Sequence, residues 1–505
     1  MPARLFSAAV LGIDGYLVEV EVDISRGLPS FDLVGLADTA VKEAKERVKA
    51  AVKNSGYPFP AHKIVVNLAP ADLKKEGAGF DLPIALGIMA AENIVAPGRL
   101  EEGVTTGEVA LDGSIRPVRG VLAMTLVARK ERKKYILLPA ANYAEARVVK
   151  GIEVVPVRNL LQAVAFLNSG LTPAFPETKQ EEKSNPGEED YAEVKGQETA
   201  KRALEIAAAG GHNLLLNGPP GSGKTMLARR LPSILPPLSR EEAVEITKIY
   251  SVAGLLPSGA SLITRRPFRS PHHTITRAGL AGGGSHPRPG EVTLAHHGVL
   301  FLDELTEFRR EVLEVLRQPL EDGVVVISRA LLSLVYPARF MLVCSLNPCP
   351  CGFFGDPVHP CSCTPRQLQR YRARISGPLL DRIDFQVEAP RLGHREILGS
   401  GEGETSARIR ERVVKARVLQ EERFAGSSIY CNAHMSSREL KKFCRLGPKA
   451  RGLLAKAVQN YGVSARGCDR LLKVARTIAD LDDSEKITGT HLAEAIQYRE
   501  IEKWR

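Results

Sequence analysis

Eight residues, Gly218-Pro219-Pro220-Gly221-Ser222-Gly223-Lys224-Thr225, constrain this chain more than any other stretch. They match G-x-x-x-x-G-K-[ST], in which glycines let backbone N–H groups curl around phosphate oxygens at the start of a helix. The apolar run Asn213 to Asn217 before the motif reads as a buried strand, and Met226 to Leu231 after it as the opening of a helix. A strand, a glycine-rich turn and a helix are the context the motif needs. Lys224 is expected on the β- and γ-phosphates of ATP, and the Thr225 hydroxyl on Mg²⁺.

A second half of such a site follows downstream. The run His297 to Leu302 reads as a strand ending in Asp303-Glu304. There Asp303 would orient Mg²⁺ and its waters, and Glu304 would polarise the attacking water. A third apolar strand, Arg339 to Leu346, ends at Asn347, where a sensor of the γ-phosphate or of the water would sit. Gly377-Pro378-Leu379-Leu380-Asp381-Arg382-Ile383-Asp384 sets an arginine among acids. Two readings fit Arg382: a finger for a neighbouring subunit's γ-phosphate, or a local ion pair with Asp381 or Asp384.

The 505 residues suggest roughly three domains. No run of about eighteen apolar residues occurs, and Met1 to Leu5 does not open a secretion signal, so a cytoplasmic protein with no membrane contact is expected. The net charge of +11 favours a polyanionic partner such as DNA or leaves a merely basic surface. Eight cysteines in a chain this long are no disulfide framework. Four of them, Cys349, Cys351, Cys361 and Cys363, form C-x-C-x9-C-x-C. Four thiolates so close suit tetrahedral Zn²⁺, while free buried or redox-active thiols are the alternative.

Residues 1–171 mix strand and helix patterns and read as a separate α+β domain. Tyr16 to Ile24, Ile64 to Leu68 and Tyr135 to Pro139 read as strands; Asp38 to Lys53, Leu82 to Ala91 and Leu160 to Leu167 read as helices. The basic run Arg129 to Lys134 reads either as a solvated helix end or as a contact for nucleic acid. Residues 172–190, rich in Pro, Glu and Lys without apolar periodicity, read as a flexible linker. Residues 191–390 are then the nucleotide core, and the helical patterns of 391–505 a lid.

Two stretches of the first domain, Ala69 to Asp81 and Gly107 to Val118, resemble the proteolytic domain of Lon proteases. In Lon a serine follows the first glycine turn and a lysine the second stretch. Here Gly79-Phe80 carries no hydroxyl and Leu122 stands where the lysine would, so the domain is read as catalytically empty.

The nucleotide motifs together with Asn347 and Leu379 to Asp384 resemble an AAA+ ATPase. With Arg269-Ser270-Pro271-His272-His273-Thr274, Gly282-Gly283-Gly284, Arg288-Pro289-Gly290-Glu291, Asn347-Pro348-Cys349-Pro350-Cys351-Gly352 and Ala475 to Leu481, the chain is similar to the magnesium-chelatase-like ComM/YifB family over nearly its whole length. The resemblance implies an α/β P-loop core with a helical lid behind a Lon-like domain, a homo-hexameric ring, and Arg382 as the trans-acting finger. It also implies a second sensor at Arg466, in Ser464-Ala465-Arg466, reaching phosphate when the lid closes. An insert from Leu238 to Gly290 and a hairpin near Leu320 to Tyr336 would face the pore, where arginines grip phosphates without reading bases; Arg269 and His272 would alternatively lie near nucleotide or a subunit interface. The implied work is DNA branch migration in recombination during natural transformation. Its rivals are a metal-chelatase-type or protein-remodelling chaperone, an ATP-dependent protease, and a DNA-binding scaffold without catalysis.

Overall fold

The computed structural model describes residues 2–36, 38–174, 189–257, 259–284, 287–328, 333–393, 403–427, 429–461 and 463–499. The chain forms two compact units, one from Met1–Glu182 and Arg240–Ile263, the other from Lys183–Ser239 and Thr264–Arg505.

The first unit is built on a seven-stranded mixed sheet. Ala3–Leu11 and Asp14–Ser25 form a hairpin at its centre, turned at Gly12, whose φ of 68° suits glycine. Lys63–Ala69 adds antiparallel on one side and then Ser30–Val34 parallel; Gly103–Thr105, Tyr135–Pro139 and Glu153–Val157 continue in parallel on the other. Helix Asp81–Ala91 is almost wholly buried, which is why its sequence is apolar all round. The expected helix from Asp38 to Lys53 is two helices, Thr39–Lys42 and Ala44–Asn54, yet Val41, Ala44, Val48 and Val52 are all fully buried as one apolar face. The basic run 129–134 closes helix Val121–Lys130 ahead of strand Tyr135–Pro139. Within it Lys134 pairs with Glu102 at 2.6 Å, and Lys133 donates to the carbonyl of Glu101.

One expectation is corrected here. The insert expected to run from Leu238 to Gly290 as a pore element is divided, and residues Arg240–Ile263 belong to the first unit. Their helix, Arg240–Ala253, is amphipathic, burying Ala243, Ile246, Thr247, Ile249 and Ser251. Ser251 Oγ donates to the buried Glu145 at 2.7 Å, and its carbonyl accepts from the Gly120 N–H at 3.3 Å. Burial raises the Glu145 pKa, and its bonds from Ser251 and Asn142 oppose that shift.

The second unit carries a five-stranded parallel sheet in the spatial order Phe268–Arg269, Val299–Leu302, Met341–Leu346, Leu214–Asn217, Phe385–Glu388. The three inner strands Val299–Leu302, Met341–Leu346 and Leu214–Asn217 are near-continuous apolar runs because both sheet faces are covered, whereas the edge strand Phe385–Glu388 buries only Phe385 and Val387. Helix Glu198–Gly210 supplies Ala200, Ala203, Ala207 and Ala208, all fully buried, and small side chains let the lid helices Ser406–Arg423 and Ala465–Leu481 approach closely. Among the described residues the lid is helical apart from a single bridge between Leu446 and Ile487, with Ser437–Phe443, Pro448–Tyr461 and Gly489–Gln497 completing it.

Of the linker expected over 172–190, residues 175–188 lie outside the described residues. Its last residues are anchored rather than free. The Asp190 side chain caps a turn by accepting from Ala192 N at 2.8 Å, and it also accepts from Ser406 N at 2.9 Å. Glu189 pairs with Arg230 at 3.3 Å.

Candidate nucleotide site

Parallel strands bring their C-terminal ends to one edge of the sheet, and loops leaving a switch in strand order there open a crevice. Leu214–Asn217 ends in the phosphate-loop motif, Val299–Leu302 in Asp303-Glu304 and Met341–Leu346 in Asn347. The register fixes how these ends meet. Asn217 pairs with Leu346 and Leu302 with Cys344, so Gly218 comes level with Asn347 and Asp303 with Ser345. Gly218 N–H accordingly donates to the Leu346 carbonyl at 3.2 Å.

The loop itself turns through left-handed glycines, Gly221 at φ 76° and Gly223 at φ 86°, a region a side chain adopts only with strain. Gly218 is required for closeness instead: a Cβ there would lie 2.1 Å from the Ala389 carbonyl oxygen. Lys224 opens helix Lys224–Ile234 and folds back over the loop, its Nζ donating to the carbonyls of Gly218 at 2.7 Å and Pro219 at 2.9 Å and to Asn347 Oδ1 at 3.3 Å. Burial lowers the Lys224 pKa, and the carboxylates of Asp303 and Glu304 work against it. Thr225 Oγ1 donates to Asp303 Oδ2 at 2.8 Å, a pair of oxygens suited to a hard cation such as Mg²⁺.

Three supporting residues were not singled out for this site by the sequence. Gln197, left-handed at φ 60°, donates from Nε2 to the carbonyls of Ser222 at 3.1 Å and Pro390 at 2.6 Å, tying the phosphate loop to the segment beyond the last strand. Ser345 hydrogen-bonds Asp303 and accepts from Glu304 N at 3.1 Å, fixing the acidic turn. His273, expected only among pore-facing residues, has Nδ1 3.9 Å from Glu304 Oε2, with its ring tilted on His272 at 4.0 Å. Glu304 itself is left-handed at φ 53°, a local strain that turns its carboxylate outward and leaves it 58% exposed. A cleft of about 410 Å³ lies in front of it, bordered by Asn347, Gln367, Arg370, Tyr371 and Arg374.

The remaining candidates are not at this edge. Arg382 precedes strand Phe385–Glu388, at the opposite end of the sheet from the phosphate loop. Its guanidinium donates to Pro378 O at 2.6 Å and pairs with Glu321, so the local partner is neither Asp381 nor Asp384. Arg466 is exposed and lines, with Arg382, Arg470 and Lys473, a cleft of about 480 Å³ at that opposite end. Lys224 and Arg466 of the same chain therefore lie toward opposite ends of the sheet, on either side of strand Leu214–Asn217, which spans roughly 13 Å. Of the arginines expected in the pore, Arg266 donates to the carbonyls of Pro236 and His297, and Arg269 forms a bidentate pair with Glu291 at 2.6 and 2.7 Å. Arg277 and Arg288 are exposed. The expected hairpin is present, with Val324–Ser328 antiparallel to Ser333–Pro337.

The four cysteines converge, all Sγ atoms lying within 4.8 Å of one another. Cys349 Sγ is 3.3 Å from Cys351 and 3.7 Å from Cys361, and Cys351 is 3.6 Å from Cys361. Backbone N–H groups of Phe353 and Ser362 hold the Cys351 thiol well below its usual range.

In the first unit, Phe80 and Leu122 are buried, and Lys75, fully buried, gives its ammonium to the Pro70 carbonyl. The buried Thr106 hydroxyl donates to the Gly79 carbonyl at 3.3 Å.

The parallel sheet with this edge, together with its helical lid, defines a magnesium-chelatase-like AAA+ protein of mixed α/β fold. Residues 190–397 match the family described as magnesium chelatase, subunit ChlI, residues 403–499 its C-terminal part, and residues 20–142 the family described as subunit ChlI of Mg-chelatase. Competence protein ComM of Haemophilus influenzae is 45% identical over 98% of this chain and 97% of its own length. YifB of Escherichia coli is 45% identical over 98% and 96%. Lon protease of Mycolicibacterium smegmatis is 27% identical over 33% of this chain and 22% of its own length. The chain belongs to the ComM/YifB family. Membership implies the use of ATP and Mg²⁺ and an ATPase role. No described helix is long and apolar enough to cross a membrane.

Proposed function

We propose that this protein is an ATP-driven DNA motor that migrates branched DNA in recombination during natural transformation. The observation that carries the reading is the meeting of Lys224, Thr225, Asp303 and Asn347 at one sheet edge, with Glu304 facing an open cleft beside them. Lys224 and the N–H groups of Gly221 and Gly223 hold the phosphates, while Thr225 and Asp303 hold Mg²⁺. Glu304 polarises the attacking water and Asn347 senses the γ-phosphate.

The chain works as a homo-hexameric ring in the cytoplasm. In a ring, Arg382 and Arg466 act on the neighbouring subunit's nucleotide, which suits their shared cleft far from their own phosphate loop. Arg382 must then exchange Glu321 for phosphate, so nucleotide arrival breaks an ion pair at the subunit edge. The net charge of +11 and the likeness to a competence protein favour DNA as the polyanion. Cys349, Cys351, Cys361 and Cys363 take a structural Zn²⁺. The first unit lacks a nucleophile at Gly79-Phe80 and a base at Leu122 and serves binding or assembly rather than proteolysis.

A labelled mobile four-way junction tests the proposal. The wild-type chain with ATP and Mg²⁺ should resolve it to two duplexes, and Glu304→Gln should retain the junction without resolving it. ATP hydrolysis with the junction left intact would overturn the branch-migration reading.

A further inference from the structure

The cysteine loop begins two residues after Asn347 and returns to pack on the phosphate loop. Gly352 sits at φ 87°, directly against Pro220: a Cβ on it would lie 2.6 Å from Pro220 Cδ and 2.8 Å from Cγ. The helix that leaves the loop, Pro365–Arg372, is started by a full capping box at Thr364 and Gln367. Its Tyr371 OH bonds Thr306 Oγ1 at 2.8 Å, two residues past Glu304. One loop thus joins the turn that holds phosphate, the sensor asparagine and the acidic turn.

Its internal ties that do not involve sulfur are few: Gly352 N to Cys349 O at 3.0 Å, Asp356 N to Phe353 O at 3.1 Å, the Asp356 carboxylate accepting from Val358 and His359, and the Phe353 ring edge-on to His359 at 5.1 Å. The four sulfurs are what gather it. A tetrahedral ion with metal–sulfur bonds of about 2.3 Å has sulfur–sulfur edges of about 3.8 Å. The three Sγ separations of 3.3, 3.7 and 3.6 Å approach those edges and are too long for a disulfide. Phe354 N donates to Cys349 Sγ at 3.3 Å and Cys363 N to Cys361 Sγ at 3.4 Å, the outer-sphere support that thiolate ligands need.

We propose that the metal-loaded cysteine loop is a clamp on the phosphate loop, holding Gly352 on Pro220 so that nucleotide affinity depends on the bound ion. This rests on the zinc reading above. Binding takes all four sulfurs as thiolates to one Zn²⁺ and releases to solvent the protons that the thiols still carry. The ion stands outside the hydrolytic site and touches no substrate; it acts by preorganising the turn whose Gly221 and Gly223 N–H groups are presented to phosphate.

The test uses the full chain and three readouts: zinc content by atomic absorption, affinity for a fluorescent ADP analogue, and hydrogen exchange of peptides covering 218–224. Wild type should carry about one zinc per chain. The double variant Cys361→Ser, Cys363→Ser should lose it, bind the analogue about tenfold more weakly, and exchange faster at 218–224 while helix Ala465–Leu481 keeps its protection. Gly352→Ala, which leaves all four thiols in place, should keep zinc and still weaken analogue binding, because the added methyl meets a rigid proline ring. Wild type without zinc, even after incubation with Zn²⁺ or Cd²⁺, overturns the metal site and the clamp with it. A zinc-loaded wild type whose Gly352→Ala variant binds the analogue with unchanged affinity overturns the clamp alone and leaves the metal site standing.

Discussion

Asp384→Asn should loosen the lid from the core, and the structure sets the size of the effect. Asp384 lies just before strand Phe385–Glu388 with its side chain 10% exposed. Its carboxylate accepts from Asn213 N at 3.0 Å, faces His212 Nδ1 at 3.5 Å, and meets Arg470 Nε of lid helix Ala465–Leu481 at 3.8 Å. Burial alone would raise its pKa; the His212 ring, Arg470 and the Asn213 N–H outweigh burial and hold it at about 2 against an ordinary 3.8. A depression of that size is worth about 2 kcal/mol of stability, fully present above the unfolded value and lost as pH falls through the folded one. Asparagine keeps an acceptor for Asn213 but leaves the half-buried Arg470 without its carboxylate, so the total loss should be about 2–4 kcal/mol at pH 7. For a unit of this size that lowers the unfolding midpoint by about 4–12 °C. The assay is thermal unfolding of wild type and variant from pH 7 down to pH 2, with hydrogen exchange of helix Ala465–Leu481 as the local probe. The difference should shrink below pH 4 as the wild-type carboxylate takes up its proton. Equal midpoints at pH 7, or a gap that persists unchanged at pH 2, would refute the argument.

Other substitutions separate the roles of single side chains. Glu304→Gln should lower ATP turnover by about 10²–10⁴-fold with nucleotide binding retained, measured by phosphate release and analogue titration. Arg382→Ala should leave nucleotide binding intact and cut turnover by about 10³-fold or more; turnover equal to wild type would remove it from the reaction. Gln197→Ala removes both ties from Ser222 and Pro390 and should weaken nucleotide binding about fivefold to tenfold, read by the same titration. Glu145→Gln should raise the stability of the first unit at pH 7, because burial raises the Glu145 pKa and the wild-type unit loses stability as pH climbs past the ordinary carboxyl range; a stability fall at pH 7 and none at pH 4 would contradict this.

The nucleotide edge was legible because its chemistry is local. Gly218 to Thr225, Asp303-Glu304 and Asn347 each follow an apolar strand, and a parallel sheet delivers strand ends to one edge whatever lies between them. What the sequence concealed is set by register and by long-range packing. Ser345 meets Asp303 only because Leu302 pairs with Cys344, and Gln197 reaches Pro390 across 193 residues. Strands Ala3–Leu11 and Glu153–Val157 escaped notice because neither alternates cleanly, each burying three residues in a row. The helix Arg240–Ala253 looked like part of a pore insert since it sits between the two nucleotide motifs; it instead packs on helix Val121–Lys130 of the first unit, with Ser251 bonded to Gly120 and Glu145. The sequence likened Arg466 to a second sensor but could not place it; helix Ala465–Leu481 packs through Arg470 on Ile383 and Asp384, so Arg466 lines the same cleft as Arg382.

The most direct measurement is ATP hydrolysis by the purified chain with no DNA, single-stranded DNA, duplex and a four-way junction, each across a salt series. A phosphate-gripping motor predicts turnover stimulated by DNA, most by the junction, with the stimulation fading as salt rises. Turnover identical with and without every DNA at low salt would contradict the account and assign the same ATPase core to a protein or metal cargo.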